Sequence, residues 1–318
     1  ARLARALERA RAREHDLSVR EVADGLLAAD ASADERRLLD FVVNSTIEQE
    51  YGGAAQALSA QAHDDDATFG GDDVVFVDGY RTLVDALARD LEIVRGQEVH
   101  AIDWSASPVR VDLRGAAGDA RVDAHRVLVT LPLGVLQAGR VRFSPALPDD
   151  KRAAIAGLGM GVLDKCYLRF AEAFWPDDID WMEYVPERYG AWTEWVSFRR
   201  ALGLPILLGF NAADRGREIE AWSDARIVED AMRTLRTIHG ASIPDPIDAQ
   251  ITRWASDPHA LGAYSFNPVG ATSDLRRALA RPLASRLHFA GEATESHYFG
   301  TAHGAYLSGL RAARELSR

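Results

Sequence analysis

Cysteine is almost absent from this chain of 318 residues. The single thiol, Cys166, excludes an internal disulfide framework and a multi-cysteine metal site, and it points to a reducing, cytoplasmic compartment. Long apolar runs are missing too. None approaches the ~20 residues of a membrane-spanning helix, so no membrane span is expected, and the first residues carry no signal-peptide pattern. Ala1 stands where a Met would open an unprocessed chain, so processing or truncation is expected. Positive charge is in deficit, with 37 Lys+Arg against 48 Asp+Glu and a net charge of -11. That balance argues against a nucleic-acid surface and suits a cationic small molecule. A glycine fingerprint is lacking as well: no G-x-G-x-x-G follows a strand with an acidic residue about 20 positions on, the βαβ unit that cradles dinucleotide phosphates. What remains is 47% hydrophobic, enough to bury a large core and to divide into two domains.

Residues 1–14, ARLARALERARARE, form an Ala/Arg-rich amphipathic helix with Leu3 and Leu7 on one face. It reads either as a solvated face beside an apolar stripe or as a basic face for a membrane or acidic partner. Ser18 and Glu21 make a capping box ahead of Val19, Val22 and Leu26. Residues 32–51 read as a further helix. The Asp/Gly-rich run 62–73 is a loop by composition and a candidate domain crossing. After it the pattern predicts a strand at 74–77, a helix at 80–90, and strands at 91–94, 98–103, 109–113 and 122–131. A strand at 162–170 places Asp164, Cys166, Leu168 and Phe170 on one face, with Leu163, Lys165, Tyr167 and Arg169 on the other. Lys165 is then a solvated residue on an open face or a functional ammonium. The aromatics between Trp175 and Trp195 suit a cage for a cationic amine or, more simply, cross-strand pairs of an antiparallel sheet. A strand at 205–210 and a helix at 223–239, stopped by Gly240, complete this block.

The C-terminal stretch LHFAGEATESHYFGTAHGAYLSGLRAARELSR reads as strand, loop and helix. Gly291 permits a tight turn, and Thr301 caps the helix. Ala305, Gly309 and Ala313 fall four apart, a nearly bare stripe able to lie close against another surface. Arg311, Arg314 and Arg318 suit the C-terminal end of the dipole, and the N-terminal end offers free N–H groups to an anion. By spacing alone this is either an anion-binding helix or a well-capped packing helix.

FAGEAT and HGAYLSG here resemble the C-terminal signature of the flavin-containing amine oxidases: polyamine oxidases, monoamine oxidases and lysine-specific histone demethylases. DGYRTLVDALA, LEIVRGQEVHAID, VLVTLPLGVL, LGMGVLDKCYLRF and ITRWASDPHALGAYSFNP extend the resemblance in order from about Ser32 onward. The fold it implies is α/β with mixed α+β character: a Rossmann-like FAD-binding domain, incomplete here, and a substrate domain of mixed antiparallel sheet flanked by helices. The implied division is residues 1–73 and 156–253 for the substrate domain, 74–155 and 254–318 for the FAD-binding domain. By resemblance Gly291, Glu292, Thr301 and Ala302 contact FAD, Val99 meets the adenine, and the Thr130–Leu131–Pro132 turn lies against the cofactor. Trp254 stands near the isoalloxazine, Tyr264 walls the substrate site, and Lys165 holds a water beside flavin N5. Ala263 departs from the family's GSYS. Monoamine oxidases attach flavin through a cysteine at about this position, so FAD is expected without a covalent bond.

The activity implied is oxidation of a polyamine-like amine by hydride transfer to N5, hydrolysis of the imine, and reoxidation by dioxygen to hydrogen peroxide. An L-amino-acid oxidase is the alternative within the fold, but it needs an arginine for the substrate carboxylate and none can be placed. The missing glycine motif favours a third reading, a non-catalytic fragment or interaction module. The expected partners are the amine, dioxygen, and a separate or removed N-terminal segment carrying the dinucleotide motif.

Overall fold

The structure, a computed structural model, describes residues 1–65, 67 and 74–317. The chain opens with helices Arg2–Arg11, Val19–Asp24 and Ala33–Val43, which bury Leu3, Leu7, Val19 and Val43 in a common cluster with Leu58 and Phe266. The predicted cap at Ser18 forms, and so does a second one at Ser32, which the sequence reading does not single out: the Ser18 and Ser32 hydroxyls accept from the backbone of Glu21 and Glu35, and each glutamate reaches back to its cap. The helix past Ala33 passes through a π-helical turn, Asn44–Glu48, before ending at Gly52. Part of the Asp/Gly-rich run, and with it the expected crossing at 73/74, lies outside the described residues, as does Arg318.

Four strands make the first sheet, in the order Gly118–Ala124, Val109–Gly115, Gln97–Asp103, Arg142–Ser144; the last pair is parallel and the others antiparallel. A second sheet is wholly antiparallel, ordered Asp248–Ile251, Leu163–Arg169, Ile206–Ala212, Glu194–Ser197, Trp181–Glu183. One face of it, with Cys166, Leu168, Trp195 and Leu207, packs on Ile227, Ala231 and Leu235 of helix Asp224–His239. Ser223 caps that helix and Gly240 ends it, as the pattern predicts. A parallel pair, Val127–Val129 with Leu287–Phe289, lies in a third cluster with Ile102, Leu133, Leu158 and Leu279. No helix among the described residues is long and apolar enough to cross a membrane.

Two expectations change. The strands expected at 74–77 and 91–94 do not form; this stretch is irregular around helix Arg81–Leu87, none of whose residues is buried. β-branched residues make a strand only where a ladder accepts their backbone groups, and no described segment does so here. The strand expected at 122–131 splits between Gly118–Ala124 and Val127–Val129, which serve different sheets. The aromatics take the simpler of their two readings, an antiparallel sheet: Trp181 and Trp195 sit on neighbouring strands of it, Trp175, Trp192 and Trp195 are core residues, and Trp192 and Trp195 stack at 5.5 Å.

Candidate functional site

Parallel strands send their carboxyl ends to the same side, and the loops beyond them bound a crevice where ligands bind. Here Val127–Val129 runs into Thr130, Leu131 and Pro132, while Leu287–Phe289 runs into Ala290, Gly291 and Glu292. Both turns line one cavity of about 250 Å³, together with Trp254, Ala263 and Ala305. Thus six of the residues singled out from sequence meet in one slot: Thr130, Leu131, Pro132, Trp254, Gly291 and Glu292. Val99 lies in the wall of a second cavity of about 730 Å³, and Leu131 is common to both walls.

The turn after Leu287–Phe289 is built for close approach. Gly291 has φ of 127°, its N–H donates to Ser308 Oγ at 2.8 Å, and no heavy atom lies within 4 Å of where a Cβ would point. Thr301 is the cap of helix Ala302–Leu316, accepting from Gly304 N–H at 3.0 Å and donating to the Tyr298 carbonyl at 2.7 Å. Neither Thr301 nor Ala302 lines the cavity; Ala305, one turn on, does. The bare stripe also shifts by one position. Gly304, Ser308 and Ala312 are the buried residues, and a Cβ on Gly304 would come within 1.8 Å of the Tyr298 carbonyl oxygen. The stripe through Ala305 and Gly309 faces the cavity and open space instead.

Glu292 lines the slot, yet its carboxylate is engaged by the chain: the Ser265 N–H and hydroxyl and the Gly300 N–H donate to it at 3.1, 2.6 and 2.7 Å. Arg276, fully buried, continues this network by donating to the Ser265 hydroxyl at 2.7 Å and to Asn267 Oδ1 at 3.1 Å. Nothing in the local pattern of the helix Ser273–Ala280 marks Arg276 as different from Arg277 beside it.

Lys165 and Tyr264 stand outside both cavities. Lys165 is half-buried, with its Nζ 5.9 Å from the centre of the Phe210 ring and no hydrogen-bond partner for that Nζ among the described residues. Burial holds its pKa below the usual lysine value. Its backbone N–H donates to Thr252 Oγ1 at 2.8 Å and its carbonyl accepts from Thr252 N–H, so the strand is tied to the turn that carries Trp254. Tyr264 donates to the Gln49 carbonyl at 3.0 Å, and burial raises its phenol above the ordinary value.

Two carboxyl groups that the sequence reading overlooks secure this turn. Asp164 accepts from Thr252 Oγ1 at 3.0 Å and from Trp254 N–H at 3.1 Å. Glu220 accepts from the backbone N–H groups of Ala255 and Ser256 at 2.7 and 2.8 Å. Burial, then the neighbouring Glu220 carboxyl, pushes Asp164 up to about 7. The alternation that exposes Lys165 on one face is the only sequence signal for Asp164, since it turns that carboxyl inward.

The slot suits a flavin dinucleotide. It offers Gly291 for close backbone approach, the Trp254 indole beside a flat ring, and a second cavity for the rest of an extended molecule. Ala263 lies in its wall, and Cys166 is buried on the face of its strand away from Lys165, its thiol pushed up to about 12 by burial. Residues 6–317 match the family of flavin containing amine oxidoreductases. Lysine-specific histone demethylase 1 homolog 2 of Arabidopsis thaliana is 34% identical over 292 residues, 89% of this chain and 38% of that protein. Polyamine oxidase 2 of the same plant is 34% identical over 261 residues, 82% of this chain and 52% of its own length. The human lysine-specific histone demethylase 2 is 31% identical over 293 residues, 89% of this chain and 35% of that protein. The chain spans about half or less of the length of these curated relatives.

Proposed function

The chain belongs to the family of flavin-containing amine oxidoreductases, and from that premise we propose that it forms the flavin- and substrate-facing part of an FAD-dependent oxidase acting on a polyamine-like amine. What supports this reading most is the convergence of Thr130–Pro132, Trp254 and Gly291–Glu292, three separated parts of the sequence, on one slot at the ends of a parallel strand pair. We assign residues 1–73 and 156–253 to the substrate domain, 74–155 and 254–318 to the FAD-binding domain. FAD, held without a covalent bond, supplies the two-electron acceptor for the amine α-carbon and returns the electrons to dioxygen.

This chain's own residues then orient and charge the site. Val99 and the Thr130–Pro132 turn hold the dinucleotide, Gly291 and Glu292 carry the loop against it, and Thr301 with Ala302 aims the helix N-terminus at its negative charge. Trp254 walls the ring and Tyr264 the substrate. Lys165, an ammonium without a protein acceptor, positions the water that hydrolyses the imine and places positive charge where reduced oxygen forms. An amino-acid oxidase is disfavoured because arginines beside the slot are committed elsewhere: Arg217 donates to the Met160 carbonyl, and Arg253 to the carbonyls of Glu220 and Trp222. A dinucleotide-binding segment, on the same or a second polypeptide, completes the phosphate site.

The test is an absorbance scan of the purified protein with that segment present. Blue and near-ultraviolet flavin bands are expected, bleached anaerobically by a polyamine and restored by air, with all yellow colour released on acid precipitation. Flavin bands that no amine bleaches would refute the oxidase assignment.

A further inference from the structure

Helix Ser273–Ala280 turns one arginine outward and its neighbour inward. Arg277 pairs with Asp274 at the surface, whereas Arg276 is fully buried. A guanidinium taken out of water is costly, and it persists where hydrogen bonds and opposite charge complete it. Two separated segments supply its close acceptors. Its Nε donates to Asn267 Oδ1 at 3.1 Å and its Nη1 to Ser265 Oγ at 2.7 Å, with the Ala293 carbonyl at 3.4 Å from Nη1. The guanidinium carbon lies 3.9 Å over the Phe299 ring, which holds the plane of the fork.

The Ser265 hydroxyl has one proton, and the arginine decides where it points. Because that oxygen accepts from Nη1, its own proton is directed elsewhere, to Glu292 Oε2 at 2.6 Å. The same carboxylate oxygen accepts from Gly300 N–H at 2.7 Å. Glu292 belongs to the loop after Leu287–Phe289, and Gly300 stands just ahead of Thr301, the cap of helix Ala302–Leu316. The carboxylate therefore clasps the loop that carries Gly291 to the loop that carries Thr301. On the other edge of the fork, Asn267 donates to the Ala62 carbonyl at 2.9 Å and its own carbonyl accepts from Ser59 N–H at 3.1 Å. One buried cation thus joins both loops to the N-terminal helical block. Neither Arg276 nor Ser265 lines the slot itself.

We propose that Arg276 is a positioning residue for the cofactor: through the Ser265 hydroxyl it orients the Glu292 carboxylate, and with it the two loops that face FAD. The inference rests on the flavin reading and adds to it a residue that touches neither cofactor nor substrate. Removing the cation leaves the carboxylate without its balancing charge and lets the Ser265 proton turn away. The clasp then loosens from behind the slot, while the slot's own lining stays the same.

The test is FAD affinity, read by flavin fluorescence on the purified apoprotein with the dinucleotide-binding segment present. Wild type is compared with R276M, S265A, E292Q and their pairwise doubles. Each single variant should weaken FAD on the order of 10-fold, about what one buried hydrogen bond to a charged group contributes. The doubles should bind no more weakly than the singles, because each variant breaks the same chain of contacts. R276K keeps the charge but not the fork, and it should fall between wild type and R276M. The visible flavin bands should shift alike in the three single variants, which a loss of stability alone does not produce. Should R276M not fold, the cycle of S265A with E292Q carries the test. Additive losses, wild-type affinity in S265A, or unmoved flavin bands overturn the relay and leave the flavin reading intact. Wild type that binds no FAD overturns both. A coupled cycle around a flavin that no amine bleaches keeps the relay and refutes the oxidase.

Discussion

Among 37 basic residues this chain has two lysines, and the structure gives them opposite circumstances. Lys151 is fully paired. Its Nζ donates to the carbonyls of Ala278, Leu279 and Arg281 at 3.0, 2.6 and 2.8 Å and lies 3.9 Å over the Phe289 ring, which closes the end of helix Ser273–Ala280. Lys165 has no such acceptor among the described residues, which suits the role proposed for it in the site. Lys165→Met removes a desolvated charge without opening a cavity, and melting should not fall. In stopped-flow of the flavin-loaded protein, reoxidation by dioxygen should slow on the order of 100-fold, with anaerobic reduction slowed less. Wild-type rates in both half-reactions would return Lys165 to the ordinary residues of an open sheet face.

At the scale of elements, the sequence is most legible where the determinant is local. The Ser18 capping box, the Thr301 cap and the turn at Gly291 each need only neighbouring residues, and each forms as read. Reading fails where a distant partner decides. Val74–Val77 has the composition of a strand and no ladder to join among the described residues, and the small-residue stripe of the last helix is offset because Tyr298, not the spacing, dictates which residue lies inside. Asp164 and Glu220 meet only after the sheet and helix Ala213–Glu220 have packed, so nothing near either residue announces the pair. The raised pKa of Asp164 has a measurable consequence. Because the folded pKa of Asp164 is raised from 3.8 to about 7, its stabilising contribution is complete below pH about 4 and is lost as pH rises through about 7. Asp164→Asn has no charge to bury, so its melting temperature should decline less than that of wild type between pH 5 and 8. Asp164→Ala should loosen the Thr252–Ser256 turn and shift the Trp254 fluorescence. Parallel pH profiles for wild type and the Asn variant would remove the titration of Asp164 from the account.

For the whole molecule, the unusual quantity is apolar surface left without cover. Val74, Val77, Leu91 and Val94 are 78, 75, 65 and 69% exposed, and Tyr306 and Leu310 on the last helix are open as well. The parallel pair Val127–Val129 and Leu287–Phe289 is only two strands wide, although parallel sheets are stable when wider and covered on both faces. All three features border the proposed FAD-binding domain, and a βαβ segment would answer each: strands to extend the pair, backbone to ladder with residues 74–77, and a helix to cover apolar side chains. Exposed patches of this kind mark association surfaces. The chain alone should therefore bind a hydrophobic dye strongly and hold FAD weakly. Supplying the dinucleotide-binding segment, fused or co-expressed, should quench the dye signal, raise the melting temperature and retain flavin through gel filtration, because whatever binds the folded state alone stabilises it by mass action. If the chain by itself excludes the dye and keeps FAD as well as the combined protein does, the open surfaces serve some purpose other than receiving that segment.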